Sequence, residues 1–275
     1  MTDARSIANG FAESGILLPM QEKQSQWAWQ WERMTYDDAW LFQDWISPNT
    51  FETFHGKSVL DCGCGGGDLL KLVAPHAANI LGVDLNAIES TKKNTEHLTN
   101  VTLQENDLAT MDLQKKFDVV YSIGVLHHTD DPTKTFRNIA RHCKANGRII
   151  VWVYSNEGNA LNRFVLEPIK TLIMARLPRP LVMAIAHLLT ALLYLPIYTL
   201  YLLPLRFLPF FEYFQNWRKM TYQRNLLNVF DKLNAPQTWF ITKAQIESWF
   251  DPTEFTDVHI SPYKGVSWRG SGTRR

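Results

Sequence analysis

A glycine-rich turn that directly follows an apolar run restricts the fold of this chain more than any other feature. The run at 58–62 (SVLDC) contains Asp61, and Gly63, Gly65 and Gly67 follow at alternate positions before a helical stretch. Glycine suits such a turn because it lacks Cβ, so the backbone can bend sharply and a ligand can approach it closely. The segment therefore predicts a strand, a ligand-binding turn and a helix.

The region from 56 to 155 continues this pattern, with short apolar runs that alternate with helical stretches. Strands that alternate with helices favour βαβ units and a mostly parallel sheet, so we expect an α/β fold. The expected strands are 58–62, 79–84, 101–104, 117–122 and 147–154, and the expected helices are 68–75, 87–98 and 132–144.

Acidic residues stand at the ends of the first three expected strands. Asp61 lies in the first, Asp84 ends the second, and Asp107 follows the third. Each alone is typical of a turn or a cap, but parallel strands end at one edge, where ligands bind in open α/β sheets. Carboxylates there can accept hydrogen bonds from ribose hydroxyls and from an adenine amino group. A dinucleotide-binding loop would have glycine in place of Asp68, which argues against nicotinamide and flavin cofactors.

These residues resemble the nucleoside-binding set of class I S-adenosylmethionine-dependent methyltransferases. The segments 61–67 (DCGCGGG) and 117–132 (FDVVYSIGVLHHTDDP), with Asp84 and Asp107, carry the resemblance, which covers about 56–155. The second segment is similar to the ubiquinone/menaquinone-biosynthesis-like branch of that superfamily. The resemblance implies a Rossmann-like, mostly parallel sheet with flanking helices, S-adenosylmethionine as the cofactor and methyl transfer as the activity.

The resemblance also implies roles for single residues at the methionine end of the cofactor. Gly63 and Gly65 would contact the methionine part, and Asp61 would help to organise its amino group. The backbone around Ile123 and Gly124 would border the same moiety.

At the nucleoside end, the resemblance implies that Asp84 holds the ribose, Leu85 packs on the adenine and Asp107 binds its amino group. Gly67 completes the turn. Methyl transfer from a sulfonium needs mainly in-line positioning and a site that excludes water, because the cofactor supplies the reactivity.

Two adjacent histidines, His127 and His128, follow the fourth expected strand and are the candidate catalytic residues. A neutral histidine there can take a proton from a hydroxyl acceptor. The alternative is that one histidine orients the following helix while the other faces solvent. Tyr154 and Glu157 are further candidates. Because no carboxylate stands at ligand spacing from the histidines, we expect no metal.

The N-terminal segment is rich in tryptophan, with five of the ten tryptophans between Trp27 and Trp45. The spacing predicts helical structure over 22–55, with aromatic residues on one side. This N-terminal aromatic helix either packs on the core or serves as a lid over a substrate pocket.

The segment 180–205 runs for 26 positions without Asp, Glu, Lys or Arg. One helix of that length would cross a bilayer, but Pro196 and Pro204 favour breaks. A single crossing would also separate the closing strands, expected at 254–260 and 264–269, from the sheet. We therefore expect broken helices that lie in the membrane interface. The alternative is a helical lid or a dimer face without lipid.

Charge and cysteine content restrict partners and location. The net charge is +1, which gives no overall attraction to nucleic acid, and we expect no nucleic-acid partner. Three cysteines, Cys62, Cys64 and Cys143, do not form a secreted disulfide framework, and 1–26 lacks a signal-peptide pattern. The expected location is cytoplasmic, with peripheral contact at the inner face of the membrane.

The expected organisation has four units: an N-terminal helical segment (1–55), a cofactor-binding core (56–160), an apolar helical insertion (161–236) and a C-terminal helix with closing strands (237–275). The apolar insertion beside the cofactor edge predicts a hydrophobic acceptor, either lipid-linked or located in the membrane. One alternative is a soluble sugar or natural-product acceptor, with the insertion as a lid or a homodimer face. Another is a non-catalytic nucleoside-binding scaffold.

Overall fold

A computed structural model of the chain describes residues 20–36 and 38–275, with side chains described from Ser25 onward. The expectations for 1–26 and for the start of the unit 1–55 therefore lie partly outside the described residues. The strands are β1 (Ser58–Cys62), β2 (Asn79–Asp84), β3 (Val101–Glu105), β4 (Phe117–Ile123), β5 (Cys143–Tyr154), β6 (Phe255–Tyr263) and β7 (Ser267–Arg274).

The helices lie between and around these strands. Short 3-10 turns occur at Phe51–Phe54, Leu126–His128, Met174–Arg176 and Leu200–Leu202, and a π-helical turn at Asn162–Leu166. The α-helices are α1 (Met20–Trp31), α2 (Ala39–Ile46), α3 (Asp68–Val73), α4 (Ile88–Thr95), α5 (Pro132–Arg141), α6 (Glu167–Leu172), α7 (Arg179–Ile197), α8 (Phe211–Trp217), α9 (Tyr222–Asn234) and α10 (Lys243–Trp249).

The seven strands form one sheet in the order β3-β2-β1-β4-β5-β7-β6. The first five strands are parallel, whereas β7 pairs antiparallel with β5 and with β6. The predicted mostly parallel α/β sheet and its two closing strands are confirmed. Several boundaries differ from the prediction: the last strand is Ser267–Arg274, not 264–269, and β5 begins at Cys143, not at 147, because Cys143 pairs with Phe117 before an irregularity in the register. The preceding helix accordingly ends at Arg141.

The helical structure expected over 22–55 is not continuous, because the chain breaks between α1 and α2 and again after α2. Proline disfavours the α region for the residue that precedes it, and Ser47, before Pro48, has ψ of 137°. Asp38, just before α2, turns inward and pairs with Arg224 of α9 at 3.2 Å. The N-terminal segment therefore consists of two helices, and the ion pair of Asp38 holds the link between them.

Buried apolar side chains form three clusters. One face of the sheet packs against α2 and α3, through residues such as Phe42 and Leu70. The other face packs against α5 and α10, through residues such as Phe136 and Trp249. The insertion has a cluster of its own between α7 and α9, with Phe230 at its centre.

The insertion enters and leaves the core at a single point. The amide of Ile241 donates to the carbonyl of Tyr154 at 2.9 Å, and the amide of Asn156 donates to the carbonyl of Ile241 at 2.8 Å. Within the insertion, α7 ends at Ile197, one residue after Pro196, so the apolar run does not form one rod over 180–205. Among the described residues α7 is the one helix with the length and apolar composition to cross a membrane, and little of it is buried.

Candidate active site

The glycine turn after β1 has the backbone that the sequence predicts. Gly63, Gly65 and Gly67 have φ of 93°, 50° and 85°, a region that favours glycine. A Cβ at Gly63 would lie 2.4 Å from the Val125 side chain, and one at Gly65 would lie 3.0 Å from the Trp31 ring. The turn is therefore closely confined by neighbouring segments and cannot accept larger residues without rearrangement.

Asp84, at the end of β2, joins the second strand to this turn. One carboxylate oxygen accepts a hydrogen bond from the Gly65 amide at 2.9 Å, and the other accepts from the amides of Asn86 and Ala87 at 3.0 and 3.1 Å. Because each carboxylate oxygen has two lone pairs, the oxygen that accepts from Gly65 keeps acceptor capacity for one ribose hydroxyl. Asp84 thus both shapes the turn and faces the site.

Asp61 lies beneath the turn and is almost fully buried. The Tyr121 hydroxyl donates to its Oδ2 at 2.7 Å. Burial raises the pKa of Asp61 to about 8, although the hydrogen bond from Tyr121 opposes the shift and Asp84 adds to it. A cationic group beside Asp61 would favour the ionised carboxylate, since opposite charges lower the pKa of a buried acid.

One cavity of about 650 Å³ lies at the carboxyl edge of the sheet, within the usual range for ligand pockets. The tryptophans Trp27, Trp31 and Trp45 line it. Trp45 also belongs to the core, so the aromatic segment packs on the core and contributes to the cavity, and its role as a lid stays a prediction. The predicted site residues that line the cavity are Gly63, Gly65, Asp84, Leu85, Asp107, Ile123, Gly124 and His128.

Some predicted site residues lie near the cavity but not in its lining. Asp61 is below the turn, and Gly67 packs against α4, where a Cβ would meet Thr95 at 2.9 Å. His127 is fully buried and lies behind His128 and Tyr154. The Glu157 carboxylate accepts hydrogen bonds from the Lys243 amide and the Trp268 indole, which makes it structural.

The two histidines differ in environment. Burial, and then the proximity of His128, lower the pKa of His127 well below its ordinary value. His128 lines the cavity, and its Nδ1 lies 2.8 Å from the carbonyl oxygen of Gln237. A carbonyl can only accept, so Nδ1 carries the proton and Nε2 keeps a free lone pair in the neutral ring. Burial also lowers the pKa of His128, which favours that neutral form.

A set of hydrogen-bonded polar side chains at the cavity was not predicted from the sequence. The Tyr154 hydroxyl donates to Asp231 at 3.3 Å, and the Lys232 ammonium donates to the Tyr213 hydroxyl at 3.1 Å. Tyr154 was a candidate only as a base, and α9 carried no motif that points to a site.

The three cysteines are buried free thiols, so none forms a disulfide. In the part of the chain that the structure describes, no group of three or more His, Cys, Asp or Glu residues is arranged to hold a metal ion. The expectation of a metal-free enzyme remains a prediction.

The residues at the turn fit S-adenosylmethionine. Glycines leave room for the methionine part, the buried carboxyl of Asp61 suits its ammonium group, and Asp84 has free acceptor capacity for the ribose. Leu85 and Leu108 line the cavity beside Asp107, which gives an apolar surface next to an acceptor, as an adenine requires.

Comparisons with known proteins agree with this fit. The family model of the methyltransferase domain matches residues 34–194, more than half of the chain. A ubiquinone biosynthesis O-methyltransferase of Coxiella burnetii is 35% identical over 102 residues, covering 35% of this chain and 43% of that protein. One of Aeromonas salmonicida is 30% identical over 116 residues, covering 39% and 47%. The matches thus span less than half the length of these relatives.

Among solved structures, an O-methyltransferase family protein from Burkholderia thailandensis has a TM-score of 0.52 at 12% identity, covering 86% of this chain and 56% of that one. This likeness concerns the fold alone. The family match rests on the segment that builds the turn, the strand ends and the cavity. The chain therefore belongs to the S-adenosylmethionine-dependent methyltransferase family, with S-adenosylmethionine as its cofactor.

Proposed function

We propose that this chain transfers a methyl group from S-adenosylmethionine to a hydroxyl of a hydrophobic acceptor, either lipid-linked or located in the membrane. One observation carries the proposal: a single cavity extends from Asp84 and Asp107 at the cofactor edge to Leu189, Leu193 and Phe210 of the insertion. An acceptor in that cavity would place a polar end near the cofactor and an apolar body among the insertion helices.

The chemistry needs a base only if the accepting group is a hydroxyl. When bound, the cofactor supplies an electrophilic methyl, so that the S–C bond breaks, an O–C bond forms and the sulfur leaves as a neutral thioether. His128 Nε2 takes the hydroxyl proton, because the Gln237 carbonyl holds the Nδ1 proton. The aromatic residues around the cavity exclude water from the reacting groups.

The names of the relatives support a hydroxyl acceptor. Both bacterial relatives above are named ubiquinone biosynthesis O-methyltransferases, which are enzymes of quinone formation by that name. These matches cover at most 39% of this chain, so the acceptor class rests on the cavity of the chain itself.

The outer surface of the insertion supports contact with a membrane. Of the 19 large hydrophobic side chains that are exposed in the described residues, 16 lie between Leu161 and Phe207. Leu195 and Phe207 are 71% and 82% exposed. Apolar patches of this kind on a soluble surface mark interaction sites.

Topology and charge favour an interfacial position over a span. Because β6 and β7 rejoin the sheet after the insertion, a single crossing by α7 would place parts of one sheet on opposite sides of the bilayer. Exposed Arg176, Arg206 and Lys219 flank the apolar surface, where they can meet anionic headgroups of the cytoplasmic leaflet. We therefore propose that the protein lies on the inner face of the membrane.

The acceptor class is tested by incubating the protein with methyl-labelled S-adenosylmethionine and separate membrane-lipid and aqueous extracts. We expect labelled product in the organic phase from the lipid extract. Label confined to a water-soluble product would instead identify the soluble-acceptor alternative. No transfer from either extract, with intact cofactor binding, would support the scaffold alternative.

Membrane contact is tested separately by flotation with vesicles that contain anionic lipid. We expect wild-type protein to float, and Leu192→Ser/Leu195→Ser to remain at the bottom, because both leucines are exposed on α7. Val258→Ser is the matched control, since Val258 is exposed on β6, outside the insertion. Equal flotation of all three proteins would exclude α7 as the contact surface.

A further inference from the structure

Two lysines lie at the acceptor part of the cavity: Lys170 is buried and outside the lining, whereas Lys232 is partly buried and lines the cavity. Lys170 of α6 pairs with Glu167 at 2.7 Å and donates to the Thr238 hydroxyl at 3.0 Å. Lys232 of α9 has no carboxylate within 4.0 Å among the described residues, although Asp231 precedes it. Its ammonium lies over the Tyr154 and Tyr213 rings, 5.4 and 5.2 Å from their centroids.

An ammonium in such a place is energetically unfavourable unless its charge is compensated. The aromatic faces and the Tyr213 hydroxyl compensate part of the charge. Burial would lower the pKa of Lys232, but the electrostatic effects of Tyr154, Tyr213 and Asp231 together raise it above its ordinary value. The group is therefore a cation at neutral pH, and it lines the cavity.

We propose that Lys232 determines specificity by binding a carboxylate of the methyl acceptor, so that the acceptor is an acidic amphiphile. This inference rests on the proposed function and names its substrate class.

The positions of His128 and Lys232 assign them different groups of the acceptor. Both lie beside the Tyr154 ring, at 6.0 and 5.4 Å from its centroid, and no hydrogen bond joins them in the described structure. His128 takes the proton of the reacting hydroxyl, so the group at Lys232 is a second one. Phenols ionise only near pH 10, so the anionic group at Lys232 is a stronger acid, and the proposal assigns it as a carboxylic acid.

The insertion also gives the cavity apolar lining. Leu189 and Leu193 of α7 and Phe210 line it, and Leu192 and Leu195 of the same helix are exposed. A head group with a hydroxyl and a carboxylate would thus lie between His128 and Lys232, with its chain directed toward the lipid-facing helices.

The test measures equilibrium binding of dodecyl-substituted benzoate and of the corresponding benzamide, both below their micelle concentrations. Binding is monitored by tryptophan fluorescence. The two probes differ in charge and hardly in shape. We expect wild-type protein to bind the benzoate roughly tenfold or more tightly than the benzamide, as for a charge-assisted hydrogen bond. Lys232→Met should bind both probes equally, whereas Lys232→Arg should keep the preference.

Lys243→Met is the matched control, because Lys243 is exposed on α10 and lies outside the cavity lining. It should behave as wild type. S-adenosylmethionine binding, measured by calorimetry on the same proteins, should be unchanged in Lys232→Met. A wild-type protein without preference for the benzoate, or a preference that survives in Lys232→Met, overturns the proposal. Loss of cofactor binding in wild-type protein would instead overturn the proposed function.

Discussion

Gln237 holds His128 at two points. Its main-chain carbonyl accepts from the His128 ring at 2.8 Å, and its side-chain amide donates to the His128 carbonyl at 3.0 Å. The same amide also donates to Asp130 at 2.8 Å. The segment after the insertion thereby fixes both the tautomer and the position of the residue that we assign as base.

Replacement of this base should reduce turnover without loss of the cofactor. For His128→Gln we expect kcat with the labelled acceptor fraction to fall by roughly 10²- to 10⁴-fold, because general base catalysis contributes about that much. Cofactor binding by calorimetry should stay unchanged. His55→Gln, at an exposed histidine outside the cavity, is the control.

The pH dependence of the activity should support His128 as the base. A base acts when it is unprotonated, and burial lowers the pKa of His128, so activity should persist below the ordinary histidine pKa before it falls. That acidic limb should disappear in His128→Gln. If the fall in activity at acidic pH is unchanged in the variant, a group other than His128 causes it.

Asp84 should prove essential for cofactor binding. Asp84→Ala removes the acceptor of three backbone amides and the predicted ribose contact. We expect the Kd for S-adenosylmethionine to rise by roughly 100-fold or more, since several charge-assisted hydrogen bonds are lost. Asp112→Ala, at an exposed aspartate, should bind normally. Normal binding by Asp84→Ala would contradict the assigned cofactor site.

Asp61 should couple cofactor binding to pH. Its folded pKa of about 8 exceeds the unfolded value of 3.8, so its contribution to stability is full below the unfolded value and is lost as pH rises through the folded one. The cofactor-free protein should therefore lose stability over this range, measured by thermal unfolding.

Binding of the cofactor ammonium should ionise Asp61, so calorimetry in buffers of different ionisation enthalpy should show proton release at neutral pH. Asp61→Asn should abolish this release. Equal release by both proteins would assign the proton to another group.

The ion pair between Arg224 and Asp38 should matter for stability. Both side chains are more than nine-tenths buried, and Arg224 also lies over the Tyr36 ring at 4.4 Å. Removing one partner leaves a buried charge, so Arg224→Met should lower the free energy of unfolding by about 3–5 kcal/mol. In urea unfolding, Arg224→Met/Asp38→Leu should recover part of this loss. A double variant less stable than the single one would argue against charge burial as the cause.

The strands and the cofactor edge were predictable from the sequence because local rules determine them. Apolar runs, the glycine turn and the acids at strand ends are all visible within short windows, and β1 and β2 have the predicted boundaries. The start of β5 was missed because it depends on pairing with β4. The contacts of Lys232 with Tyr154 and of Trp31 with Gly65 join distant segments, so no local pattern indicates them.

The hydrogen bonds of Tyr154 and Asn156 with Ile241 close the insertion into a loop whose base belongs to the core. Since the cost of closing a loop grows only slowly with its length, exposed parts of the insertion that make no contact with the core can change in length with little effect on the sheet. Residues that bond to the core, such as Arg224 and Gln237, have to stay for the donor site to keep its geometry. The point where Ile241 bonds to Tyr154 and Asn156 is a natural graft site for engineered transferases with new acceptors.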